Sequence, residues 1–226
     1  NHALSLIMAE NDNEFQHGAQ PGSMTPTLRL VMPSGRTKRF VMLGLGKEEE
    51  QGHSVSIAAA GFAVGKAVAT IANEEKMITS CHVLLPHGFG AHAETMRNVA
   101  TAFYQTLYSD HRYRGTQQHT TTMVENLKTT TFFLEALDQE DILHFSKLAM
   151  SLKQGKKIAS GVFLAKDIVN APHVVLNSES LADTARRIAQ ESDGRITCTI
   201  LNKEECEQRG MGAYLGVARA SETQPQ

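Results

Sequence analysis

Histidines at five-residue intervals, His82, His87 and His92, are the first candidates for chemistry, because clustered imidazoles can hold a metal ion. Pro86, Gly88 and Gly90 place them in a strand-to-helix loop, and no Cys or Asp at ligand spacing completes a tetrahedral set, so surface histidines are expected. Cys81 could serve as a nucleophile, but it falls in a stretch of strand formers where a small packing residue is the simpler reading. Cys198 and Cys206 have no local base and are expected to be inert. Gly44-Leu45-Gly46 after a strand suggests a loop that cradles phosphate with backbone amides. Glu49 stands where G-x-G-x-x-G needs its third Gly, which favours a plain turn. Asp138-Gln139-Glu140-Asp141 resembles an acid/base cluster, yet acids are expected in a first helical turn. Lys153, Lys156 and Lys157 fit a solvated helix face.

The elements that would carry these residues alternate between strand and helix. Leu28 to Met32 and Arg39 to Leu45 are rich in β-formers around a Pro33-Ser34-Gly35 turn. Ile57, Gly61, Val64, Val68 and Ile71 recur at helical period, with Ala and Gly permitting close packing. Met77 to Leu85 reads as a buried strand, expected in one sheet with Leu28 to Leu45. Ala93, Met96, Ala100, Phe103 and Leu107 mark a second helix, His111 to Asn126 a polar loop, and Leu127 to Leu134 another strand. A helical pattern then runs from Asp138 to Val169, roughly 45 Å at about 1.5 Å per residue, with bends possible at Gly155 and Gly161. Its apolar stripe is Ile142, Phe145, Leu148, Leu152, Ile158, Val162 and Phe163. Asn170-Ala171-Pro172 ends it, and Asn177 is placed to cap a helix whose apolar face is Leu181, Ala185, Ile188 and Ala189. Arg195 to Leu201 alternates as a strand, before a short Lys203 to Arg209 helix and a Gly-rich Gly210 to Gly216 stretch. The fold class is therefore α/β: a mixed-sheet domain over residues 1–135, a linking helix over 136–169, and over 170–226 the start of a second α/β domain that is too small to stand alone.

Composition narrows the function. Apolar residues make up 41% of the 226, enough for a core, and Ile57 to Ala72, the richest run, is cut by Gly61, Gly65, Lys66 and Thr70, so no membrane role is expected. Lys and Arg total 22 against 24 Asp and Glu, and no global positive field favours nucleic acid. Three cysteines without a CxxC pair argue against a disulfide framework and for a reducing compartment. The chain opens at Asn1 with neither Met nor an apolar signal segment, as a trimmed or cleaved start would; with a reducing compartment the cytoplasm is expected, and a mitochondrion or plastid is the alternative after removal of a transit peptide.

Lys166-Asp167-Ile168-Val169-Asn170-Ala171-Pro172, the following Leu181-Ala182, and Gly210-Met211-Gly212-Ala213-Tyr214-Leu215-Gly216-Val217-Ala218 together resemble the start of the catalytic domain in the leucyl aminopeptidase family. Arg39 to Lys47, followed by an Ala/Gly-rich helix, is similar to that family's N-terminal, macro-like domain. The resemblance implies a two-metal exopeptidase that removes N-terminal residues from peptides. Two divalent ions, zinc or manganese, would be held by a Lys and several Asp and Glu, stabilise the oxyanion and lower the pKa of a bridging water. It also implies a homo-oligomer, a hexamer built as a trimer of dimers. The ligand motifs, a Gly-Lys-Gly segment leading into Asp-Ser-Gly-Gly and an Asn-Thr-Asp-Ala-Glu-Gly-Arg-like segment, do not occur in these residues. No catalytic or metal-binding residue is therefore assigned, no metal is expected on this chain alone, and substrate-binding residues are unknown. Val174, Ser178 and Ala220 depart from the family's Asn, Pro and Gly and keep open a non-catalytic assembly subunit. A nucleotide-type ligand or DNA on the macro-like domain is a third reading, which fails if neither binds at low salt.

Overall fold

The computed structural model describes residues 22–45, 57–75, 78–85, 92–113, 127–133 and 142–226. Expectations for Gly46, Glu49, Met77, Pro86 to Gly90, most of His111 to Asn126, Leu134 and Asp138 to Asp141 lie outside the described residues. The elements are β1 (Leu28–Val31), β2 (Thr37–Phe40), α1 (Ile57–Glu74), β3 (Ser80–Leu84), α2 (Ala93–Thr106), β4 (Thr129–Phe133), α3 (Ile142–Asn170), α4 (Ser178–Gln190), α5 (Lys203–Gln208) and α6 (Gly212–Ala218). This is the mixed α/β class expected. Two compact units divide the chain, Asn1–Phe163 and Leu164–Gln226, and the division falls inside α3.

In the first unit, β1 and β2 form an antiparallel hairpin in the register Leu28↔Phe40 to Val31↔Thr37. The turn closes through Gly35 N–H to Met32 O at 2.8 Å, and Gly35 has φ +76°, a conformation that a side chain would strain. β2 begins at Thr37, earlier than the β-former pattern from Arg39 suggests, because the tight turn pairs Thr37 directly with Val31. β3 and β4 form a parallel pair, Ser80↔Thr129 to Leu84↔Phe133.

Among the described residues these are separate two-stranded sheets, so Leu28 to Leu45 and Met77 to Leu85 do not share a sheet. They are joined instead by packing. Leu43, Leu45, Cys81, Val83 and Phe132 all lean on one core of Ala60, Val64, Val68, Leu85, Met96, Val99 and Leu148. β3 is also buried on one face only, with Cys81 and Val83 inward and Leu84 79% exposed. A short apolar run does not show which of its faces will be covered.

The helices that make this core approach at backbone distance. A Cβ built on Gly65 of α1 would lie 2.1 Å from Val99 O and 2.9 Å from Phe103 N of α2, and one on Gly61 would lie 2.7 Å from Thr95 O. Gly155 of α3 meets the other side of α2, where a Cβ would lie 2.2 Å from Arg97 O. Thr101 Oγ1 can donate to Arg97 O at 2.8 Å and to Gly155 O at 3.3 Å, which ties α2 to α3. Thr95 Oγ1 is buried there with no hydrogen-bond partner among the described residues, and the Thr95 methyl lies against Gly61.

The helix α3 runs unbroken for 29 residues, and Gly155 is a point of close contact along it. Its buried stripe is Leu148, Ser151, Gly155 and Ala159, spaced by three or four, with Leu152 and Val162 half-buried beside it. Phe145 and Ile158, expected on that stripe, are exposed. Small residues win the contact because a large side chain there would hold α2 away.

The second unit is organised by capping. Asn177 Oδ1 accepts from Ser180 N–H at 3.1 Å and Ser180 Oγ accepts from Asn177 N–H at 2.8 Å, a capping box that starts α4 where expected. Asn202 and Glu205 repeat the device at α5. Ser192 Oγ donates to Ala189 O at 2.7 Å and accepts from Ile196 N–H at 2.9 Å, fixing a turn with positive φ at Asp193 and Gly194. Arg195 to Leu201, expected as a strand, is not one, because no described segment pairs with it. Gly212–Ala218 is helical.

Replacing Gly65 by Ala should lower stability by about 1–3 kcal/mol, since the methyl can be housed only by parting α1 from α2. Gly161→Ala meets nothing within 4 Å and should raise it by about 0.4–1 kcal/mol. Urea unfolding of both variants checks the contrast, and equal effects would refute the close crossing.

Candidate functional site

Of the candidate histidines, His82 and His92 are among the described residues. His82 sits on the exposed face of β3, edge-on to Phe133 at 5.4 Å between centroids, and His92 is the exposed residue preceding α2. Among the described residues, no group of three or more His, Cys, Asp or Glu is placed to hold a metal ion. The described side chains therefore do not fit a metal pair.

The other candidates resolve into structural roles. Gly44 N–H donates to Ser23 O and Gly44 O accepts from Gly22 N–H, both at 2.9 Å, so the Gly44 amide is already engaged. Cys81 is half-buried against the core, and burial pushes its thiol up from the ordinary value, opposite to what a nucleophile needs. Cys206 is 1% exposed and its thiol points to Leu201 O at 3.9 Å, while Cys198 is half-buried. Lys153, Lys156 and Lys157 are exposed on α3, with Lys156 Nζ 5.4 Å from the centre of the Tyr104 ring.

Among the described residues, the most perturbed carboxyl lies outside all of these groups. Asp110 is held down to about 2, first by the Arg112 side chain, whose Nε and Nη2 donate at 2.9 and 2.7 Å, and then by the Arg112 backbone N–H at 3.0 Å. The partners are two residues apart after the end of α2, so this is a local clasp and not a reaction centre.

One concavity had no signal in the sequence. It is an open groove of about 390 Å³ bounded by Met24, by Phe62, Lys66 and Thr70 of α1, and by Gln105 of α2. Three segments far apart in the chain form it, and only their packing brings them together.

The segments that resemble the start of the family's catalytic domain lie in the second unit. Lys166 and Asp167 are half-buried near the end of α3, Val174 is 74% exposed in the turn after Pro172, and Gly210, at φ +68°, closes α5 ahead of α6. Ser178 Oγ, where the family has Pro, donates to Gln224 O at 2.5 Å.

Comparison with known proteins decides the relationship. The N-terminal domain of the cytosol aminopeptidase family matches residues 17–117, and the catalytic domain of the same family matches residues 163–226. The chain belongs to this family. A probable cytosol aminopeptidase of Rippkaea orientalis is 33% identical over 202 residues, covering 89% of this chain and 37% of that protein. Leucine aminopeptidase 1 of Arabidopsis thaliana is 29% identical over 224 residues, covering 98% of this chain and 39% of its own length. The chloroplastic leucine aminopeptidase of Solanum tuberosum is 29% identical over 224 residues, 97% of this chain and 34% of that protein. This member of the cytosol aminopeptidase family thus spans well under half the length of the curated relatives it matches. The solved structure of the bottromycin maturation enzyme BotP in complex with Mn shares the fold, with a TM-score of 0.60 at 21% identity over 94% of this chain and 40% of that one.

Arg112→Met should raise the Asp110 pKa toward, but not fully to, the ordinary carboxyl range, because the backbone N–H of residue 112 still donates to it. The sign follows from the depressed value: the clasp is complete above that ordinary range and is lost as pH falls through about 2. Carboxyl-carbon NMR titration of both proteins checks this, and an unchanged Asp110 titration would rule Arg112 out as the cause. Iodoacetamide at neutral pH should leave Cys206 unmodified until the protein is unfolded, which peptide mass mapping reads directly.

Proposed function

We propose that this chain is the front part of a leucyl-type metalloaminopeptidase that releases N-terminal amino acids from peptides, with its catalytic machinery outside residues 1–226. The observation that carries the reading is the catalytic-domain match over 163–226, which contains both Lys166 to Pro172 and Gly210 to Ala218. On this reading residues 1–135 are a macro-like domain, 136–169 the linking helix and 170–226 the beginning of the peptidase domain. Two divalent ions, zinc or manganese, and the substrate pocket belong to the remaining sequence. The manganese named with BotP supports that choice of metal. Assembly as a homo-oligomer, a hexamer, and residence in the cytoplasm or, as for the chloroplastic relatives, in a plastid complete the proposal.

The chemistry assigned to the described residues is limited to support. Lys166 and Asp167 near the end of α3, and α4 with its Asn177 cap, supply a framework on which the rest of the domain is laid.

The test is a paired assay. The full-length polypeptide, loaded with manganese or zinc, should cleave leucyl amide and lose that activity to a chelator. Residues 1–226 alone should neither bind a metal pair by calorimetry nor turn over substrate. A metal-loaded full-length protein without turnover would leave the non-catalytic assembly subunit, to which Val174, Ser178 and Ala220 point, as the surviving reading.

A further inference from the structure

The β1–β2 hairpin carries charge of one sign. From Gly22 to Leu45 there are four cations, Arg29, Arg36, Lys38 and Arg39, and no Asp or Glu. The ladder sets Arg29 directly opposite Arg39 and Val31 opposite Thr37, so the two arginines share one face of the ribbon, and all four of these residues are exposed. Like charges directly opposite one another destabilise a strand pair. Arg39 is relieved by its ion pair with Glu75, whereas among the described residues Arg29, Arg36 and Lys38 have no carboxylate partner. The other paired arginines, Arg97, Arg112, Arg186 and Arg195, each reach an acid two or three residues away in sequence, and the hairpin has no such acid to use.

The shape of the hairpin goes with its charge. No residue of either strand is fully buried, and it is Leu43 and Leu45, beyond the ribbon, that pack against the core. Two strands about 4.8 Å apart make a ribbon thin enough for the B-form major groove, which is about 12 Å wide. The turn is Pro33-Ser34-Gly35-Arg36, with no large apolar side chain to enter a lipid surface. Val31, 75% exposed on the arginine face, is of the kind that meets thymine methyls in a groove. Three of the four cations are arginines, whose planar fork takes phosphate oxygens in pairs.

We propose that the exposed face of the β1–β2 ribbon docks on duplex DNA, with Arg29, Arg36 and Lys38 on backbone phosphates and Val31 toward the base edges. Charge density selects this partner over an acidic peptide: the duplex carries one charge per about 1.7 Å, enough to meet every unpaired cation on strands only about 13 Å long. The chain as a whole is close to neutral, so the attraction is local to the hairpin. The proposal goes beyond the aminopeptidase reading and does not rest on it.

Fluorescence anisotropy of the full-length polypeptide with a short mixed-sequence duplex, from low to physiological salt, is the test. The logarithm of the binding constant should fall linearly with the logarithm of salt concentration, with a slope of about −3 for three to four phosphate contacts. Arg29→Gln and Lys38→Gln should each weaken binding and make the slope shallower by about 1, while Lys153→Gln on α3 should leave it unchanged. Because Arg29→Gln removes a like-charge pair, its urea midpoint should equal or exceed that of the unaltered protein, which separates lost binding from lost folding. Absence of binding at low salt would overturn the proposal, as would an unchanged slope in both hairpin variants. Binding to phosphatidylcholine vesicles containing phosphatidylglycerol, or to a polyglutamate peptide, without binding to the duplex, would replace the partner and so overturn it too.

Discussion

The constraint on which the first unit depends is the backbone-to-backbone approach of α1 and α3 to α2. Gly61 and Gly65 present one side of α1 without side chains to Thr95 and Val99, and Gly155 does the same from α3 toward Arg97 and Thr101. At that distance the larger residues that face inward from these helices are drawn into one packed cluster. Val64, Val68, Met96, Val99 and Leu148 meet because the glycines let the helix axes come close. Both two-stranded sheets then gain their stability from the same cluster, since an isolated pair of strands is marginal in water. Leu43 and Leu45 after the hairpin, and Cys81, Val83 and Phe132 from the parallel pair, are held by contact with the helices and not by a shared ladder.

The second unit obeys a different logic. Its helices are specified locally, by the reciprocal bonds of Asn177 with Ser180 and of Asn202 with Glu205, while few apolar side chains are buried: Ala182, Cys206 and Pro225 in this unit. Caps of this kind contribute about 1 kcal/mol each and can define where a helix starts without a core behind it. That arrangement suits a segment whose own chemistry is supportive, and it agrees with a family match that covers only the opening of the catalytic domain.

Chemistry-bearing residues were legible as types but not as an assembly. His82 and His92 are near in sequence, yet one stands on a strand face and the other before a helix. Cys81 was read as packing from its strand-forming neighbours, and its half-buried place against the core agrees. The Asp110 clasp went unnoticed because a carboxylate and a guanidinium two residues apart make a bond only when the turn after α2 folds them together. The Met24, Phe62 and Lys66 groove could not be seen at all, since no local pattern links its walls.

The sequence by itself determined the parts with local causes. Helical period placed α1, α2 and most of α3, the Asn177 cap and Pro172 bounded α3 and α4, and the motifs from Lys166 to Ala218 named the family. Only the tertiary structure decided how strands are partnered and which faces are covered. Arg195 to Leu201 has the alternation of a strand and no ladder, β3 buries one face where its run of apolar residues allowed two, and α3 hides Gly155 and Ala159 while Phe145 and Ile158 meet water. The physical reason is the same in each case. Period and capping depend on neighbours along the chain, whereas pairing and burial depend on which distant surface comes within contact distance.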